Sequence, residues 1–180
     1  MKNKWFIFLI FFVSSLFYNS SSYSSTLPAL PIDNLNESLF GSYNQSCTKD
    51  DDDNYYVQYI DISRTHLEWK FIAFEDEKCE TPYLVFKRTF KVMTVSSSQL
   101  FTQSIDSNYL SLTDEVTRAL NLIKYCSHKD WQTDRVKDVT GKKCDDYQQL
   151  KSGENRKIPY SLNGNKLFWD KTTYLNKENL

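Results

Sequence analysis

Glycine and proline are scarce in this 180-residue chain, at four each. So little glycine excludes a collagen-like chain or a glycine-rich solenoid, and no internal repeat is found. Several chemical signatures are missing as well. There is no Gly-x-Ser-x-Gly elbow, no His-Glu-x-x-His, no P-loop and no dinucleotide fingerprint. Excess positive charge is also absent. Of 22 Lys+Arg, two lie in the first 24 residues, none of the 23 Asp+Glu does, and the remainder carries a net charge of −3. A nucleic-acid binder needs a basic stripe to neutralise phosphates, and a polybasic membrane-surface protein needs a similar cluster. Neither is written here. No apolar run reaches the roughly 20 residues of a spanning helix.

The longest apolar stretch is N-terminal. Lys2 and Lys4 precede the unbroken run Trp5 to Val13, and Ser20 to Ser25 follows, interrupted by Tyr23. A charged n-region, a short apolar h-region and small residues predict an export signal over residues 1–24, cleaved after Ser22 or Ser24. The expected location is therefore the periplasm or the extracellular space. Residues 25–38, with Pro28 and Pro31, are read as an extended leader, residues 39–170 as one β-rich domain, and residues 171–180 as a tail.

Four cysteines, Cys47, Cys79, Cys126 and Cys144, are an even number in a chain read as exported, which predicts disulfides. Of the three connectivities, Cys47–Cys79 and Cys126–Cys144 close the shorter loops. Cys126-x-His128 with Cys144 offers three zinc ligands, but the CxxC pairs of structural zinc sites are missing. The four consecutive aspartates, Asp50 to Asp53, lack the alternation and glycine of an EF-hand and read as a solvated loop. No metal and no cofactor are expected.

Aromatics are abundant, with 12 Tyr, 12 Phe and 4 Trp. They fall at strand spacing. Tyr56, Gln58, Ile60 and Ile62 alternate with Tyr55, Val57, Tyr59 and Asp61. Leu67, Trp69, Phe71 and Ala73 alternate with Glu68, Lys70 and Ile72. Leu84, Phe86, Phe90 and Val92 oppose Lys87, Thr89 and Lys91. Leu100 to Ile105 and Asn108 to Leu112 read as a hairpin. Leu112, Val116, Leu120 and Ile123, with Ala119, recur at helical spacing behind a Thr113 N-cap, predicting a helix over Asp114 to Lys124. Ile158 to Leu162, Asn163-Gly164 and Asn165 to Asp170 predict a type I′ hairpin. About eight strands in consecutive hairpins with one short helix predict a mainly β fold: an antiparallel meander forming a barrel or a strongly curved sheet.

Gly41-Ser42-Tyr43 in the first strand is similar to the Gly-x-Trp opening of lipocalins, with Tyr in place of Trp. The turn Asp76-Glu77-Lys78-Cys79-Glu80-Thr81-Pro82 and the later Asn121, Cys126, Asp130-Trp131 and Cys144 extend the likeness over roughly residues 39 to 170. The layout resembles exported bacterial proteins of lipocalin-like type. That resemblance implies a binding protein for a small apolar ligand, with Tyr43, Trp69, Phe71, Phe86 and Phe90 as candidate lining residues. The other reading of the same residues is a packed, cavity-free core in a protein that recognises an envelope or extracellular component through its loops. No catalytic residues are assigned, and an enzyme is not expected: a bridged Cys126 beside His128 is no nucleophile.

Overall fold

The computed structural model of the chain describes residues 37–50, 53–169 and 173–177. The expected signal and most of the leader lie outside these residues, as do Asp51 and Asp52. Among the described residues the chain is mainly β, with one α-helix. The strands are β1 (Gly41–Asn44), β2 (Thr48–Lys49), β3 (Tyr55–Ile62), β4 (His66–Phe74), β5 (Pro82–Val95) and β6 (Gln99–Ser111). After the helix α1 (Asp114–Ile123) come β7 (Val136–Asp138), β8 (Lys143–Cys144), β9 (Tyr147–Gln148), β10 (Asn155–Asn163), β11 (Lys166–Trp169) and β12 (Thr173–Lys177).

The large sheet runs β1-β12-β11-β10-β6-β5-β4-β3-β2, and β1 also pairs with β3. The pairings therefore return on themselves in a ring of antiparallel neighbours, the expected strongly curved sheet. β7 lies alongside the second half of β6, and β8–β9 is a separate two-stranded hairpin. The inward face follows the alternation of the sequence. Ile62, Leu67 and Phe90 fall on one row of paired residues, and Ile60, Trp69 and Arg88 fall on the next. All six are buried in the core.

Four details depart from the sequence reading. The residues from Gln99 to Ser111 form one 13-residue strand, not a hairpin. Its pairing with β5 slips between Thr89 and Phe90, where Ile105 is the extra residue, and again between Val92 and Thr94. Such bulges sharpen the bend and twist of a sheet, so the Asp106-Ser107 break is a kink within a strand. The last hairpin pairs Asn163 with Lys166, which puts Gly164 and Asn165 at its centre. Gly164 alone of these two has positive φ, +58°, whereas a type I′ turn needs both. Thr173–Lys177, expected as tail, forms β12 and pairs with both β1 and β11. Finally, the last two residues of the expected leader join the first of the domain in a 3-10 turn, Glu37–Leu39, whose Leu39 is fully buried.

That turn is fastened from three sides. Tyr43 Oη donates to Leu39 O at 2.9 Å, Lys177 Nζ donates to Ser38 O at 3.0 Å, and Arg64 pairs with Glu37. Lys177 also lies over the Tyr43 ring at 5.7 Å. Glycine suits position 41 because its backbone stands at φ +136°, which L side chains rarely adopt; a Cβ there would also displace the flexible end of Lys177, 2.7 Å away at Cε. This end of the ring carries the tight turns at 63–65, 96–98 and 164–165. Both predicted disulfides are formed, Cys47–Cys79 and Cys126–Cys144. They lie at the opposite end, where residues 112–154 cross over as a cap. Two intact bridges fit a non-reducing environment. No described helix is long and apolar enough to cross a membrane.

Candidate functional site

The capped end is where polar chemistry enters the interior. It begins with β6 leaving the ring at Ser111, beside Tyr83, whose carbonyl accepts from Leu112 N at 3.0 Å. Thr113 then caps α1 as expected, its side chain accepting from Val116 N. The buried side of the helix is Val116, Thr117 and Leu120, while Ile123 remains 40% exposed. The apolar stripe is thus shifted toward Thr117, because Thr117 Oγ1 joins Ser111 Oγ at 2.8 Å and Thr133 Oγ1 at 2.9 Å. Lys124 ends the helix in a left-handed conformation, with its N–H returning to Asn121 O and Leu120 O.

Asn121 and Trp131 hold the next loop. Trp131 N donates to Asn121 Oδ1 at 2.8 Å, Asn121 Nδ2 donates to Trp131 O at 3.0 Å, and Trp131 Nε1 donates to Tyr125 O at 3.3 Å. Trp131 is buried beneath the cap. A chain of ring contacts leads from it into the sheet: Trp131 to Tyr109 at 6.3 Å, Tyr109 to Phe86 at 4.7 Å, and Phe86 to Trp69 at 6.2 Å. Edge-to-face and tilted pairs of this kind suit the ring quadrupoles.

At the centre of this arrangement is Arg88, fully buried on β5 between Phe86 and Phe90. Its Nε donates to Ser107 Oγ at 3.1 Å, and its Nη2 donates to Gln149 Oε1 at 2.6 Å and Tyr147 Oη at 3.3 Å. The guanidinium faces the rings of Phe86, Tyr147 and Trp69 at 5.2, 5.7 and 5.8 Å. Burial lowers its pKa from the usual arginine value, with the Tyr147 hydroxyl working against the shift. Sequence reasoning passed over Arg88, although alternation alone places it on the apolar face of β5. A charged residue at an inward position of a strand is the signal that was there to be read.

Near Arg88 the phenols of Tyr109 and Tyr125 stay protonated. Burial pushes Tyr109 up to about 12, and Tyr125 well above its ordinary value, while the two hydroxyls lie 3.3 Å apart. The Asp145 carboxyl, in the β8–β9 turn, is raised by burial first and by Asp146 second. Its Oδ2 is buried with no hydrogen-bond partner among the described residues. Gln149 is buried too. The cluster holds donors and acceptors in place, and the phenols of Tyr109 and Tyr125 have no charge to exchange near neutrality.

The five lining candidates fall into two groups. Tyr43, Trp69, Phe86 and Phe90 are buried at 1–8% exposure within one continuous core cluster. Trp69 Nε1 donates to Gln58 Oε1 at 3.0 Å, so its polar edge is satisfied inside the core. Phe71 is only partly buried and stacks on Tyr56 at 4.9 Å. Among the described residues no three His, Cys, Asp or Glu side chains are placed to hold a metal ion, and the cysteines are all bridged. His128 packs on Trp131 at 6.0 Å, and its Nε2 lies 3.1 Å from Asp138 O. No protein-family model matches the chain, and no curated protein sequence matches it.

Proposed function

We propose that this is an exported recognition protein that binds an envelope or extracellular component through its capped, disulfide-braced end, over an interior that serves as packed core. The observation that carries the reading is the shielding of Tyr43, Trp69, Phe86 and Phe90 at 1–8% exposure. Walls of an open ligand pocket keep solvent-accessible surface, whereas these rings spend theirs on one another. The capped end suits recognition because two bridges brace its loops and because Leu122 and Val136 stand 83% and 66% exposed there. The export signal expected from the sequence and the two bridges together support placement in the periplasm or outside the cell.

Native mass spectrometry of the protein purified from its own host tests the reading. The expected spectrum shows the bare polypeptide with two bridges, and titration with a fluorescent apolar probe gives no saturable binding at micromolar concentrations. A lipid that co-purifies in stoichiometric amount overturns it. One observation favours that second reading, an interior site for a small apolar ligand: Phe71, stacked on Tyr56, is the lining candidate left partly open to solvent.

A further inference from the structure

The stretch from Gly141 to Leu150 has an unusual set of attachments. It folds on itself: Gly141 N donates to Leu150 O, Gln149 N donates to Lys142 O, and β8 pairs with β9. Lys142, Lys143, Asp146 and Gln148 point into solvent. Among the described residues it is held to the rest of the molecule at several points, one of them Lys142 N donating to Val139 O at 2.9 Å. They include the buried side chains of Cys144, Gln149 and Leu150, the hydrogen bonds from Arg88 to Tyr147 and Gln149, and the Cys126–Cys144 bridge, the one covalent tie. The stretch lies over Arg88, which has no exposed surface.

Two forces push against closure. Burying a guanidinium carries a desolvation cost even when its N–H groups are well bonded. The bridge is also anchored on backbone that resists its own conformation. Lys124, Cys126 and Ser127 stand at φ +53°, +50° and +64°, and Asp145, next to Cys144, at +52°. Lys124 uses this left-handed region to end the helix and aspartate tolerates it, so the strain falls on Cys126 and on Ser127 beside it. The bridge's two partners are themselves buried, so the closed state also protects its own fastening.

We propose that Gly141–Leu150 is a flap shut over Arg88 by the Cys126–Cys144 bridge, and that without the bridge it opens and bares the guanidinium. With the bridge intact the interior is closed; when an external dithiol reduces it, passing two electrons to the S–S bond and leaving as its own disulfide, the chain presents an accessible arginine at its capped end. The flap is a unit of low local stability fixed by a single covalent tie.

The test compares the wild type with the C126S/C144S variant. Phenylglyoxal labelling with peptide mapping reads Arg88, with the exposed Arg118 and Arg135 as internal standards. Hydrogen exchange reads the amides of Gly141 and Gln149 against those of β3, β4 and β5. In the variant, Arg88 should label at least about tenfold faster than in the wild type, and the flap amides should exchange at least about tenfold faster while the β3–β5 amides hold. The C47S/C79S variant should leave Arg88 unlabelled. Adding Arg88→Met with Gln149→Leu to C126S/C144S removes the buried charge and its partner together, and flap protection should return. An Arg88 that stays unreactive beside protected flap amides overturns the proposal. So does loss of protection across β3–β5 in step with the flap, since the bridge would then hold the whole fold. Failure of the apolar pair to restore protection overturns the role given to the charge.

Discussion

At the scale of single residues the interior separates into side chains that fill and side chains that bond. Phe90, at 1% exposure, fills: it faces Leu67 and Ser104 in register and packs in the core cluster. Phe90→Ala should cost about 3–5 kcal/mol in urea unfolding, the usual range for a buried aromatic cut to alanine. Phe71→Ala should cost clearly less in the same experiment, because part of its ring already meets water. Asp145 is the residue whose charge opposes the fold. Its folded pKa is raised by burial and by Asp146. A raised carboxyl favours the native state while protonated, so its contribution is complete below the unfolded value of about 3.9 and is lost as pH rises through the folded value. Asp145→Asn should therefore raise the Tm at pH 7 and leave it nearly unchanged at pH 3. An amide also tolerates φ +52° well. Equal Tm differences at the two pH values would dissociate the effect from titration.

Among the elements, α1 shows how local and tertiary preferences divide the work. Thr113 Oγ1 accepts from Val116 N at 3.2 Å, and Asp114 and Glu115 sit in the positive first turn. Thr113→Ala should cost about 1 kcal/mol by chemical denaturation, with the helical signal otherwise retained. This start was legible because capping is a property of adjacent residues. The face the helix buries was only half legible. Ile123 fits the periodic stripe yet stays exposed, while Thr117 goes inside because Ser111 and Thr133 offer its hydroxyl partners. The β5–β6 pair repeats the lesson. Alternation in each strand was readable, but the bulge at Ile105, which brings both Ser104 and Ser107 inward, depends on the partner strand.

The whole molecule is held by closure of the sheet. β12 pairs with β1 on one side and β11 on the other, and β1 pairs in turn with β3. Ending the chain at Trp169 would leave the edges of β1 and β11 unpaired. Exposed edges template pairing with other chains. The truncated protein should elute as oligomers in size-exclusion chromatography, where the full chain runs as a smaller species at the same concentration. The Cys47–Cys79 bridge, closing a loop with a sequence separation of 32, adds a second restraint at the capped end. C47S/C79S should lower stability by about 3–4 kcal/mol if the entropic account holds, measured by urea midpoint.

The sequence by itself determined the mainly β class, the period-2 assignment of core faces on β3, β4 and β5, the N-cap of α1 and the pairing of the cysteines. Each depends on neighbours along the chain, on alternation, or on the shorter of competing loops, all of which are local quantities. Only the tertiary structure decided that β12 completes the ring, that β6 runs unbroken through its kink, and that the lining candidates Tyr43, Trp69, Phe86 and Phe90 are shielded. It also decided that Arg88 lies beneath Tyr147 and Gln149, some 60 residues further along the chain. Those outcomes depend on which surfaces meet across long loops. A residue's own neighbours carry the propensity to point inward, but what it meets there is set by strands and caps that arrive from elsewhere in the chain.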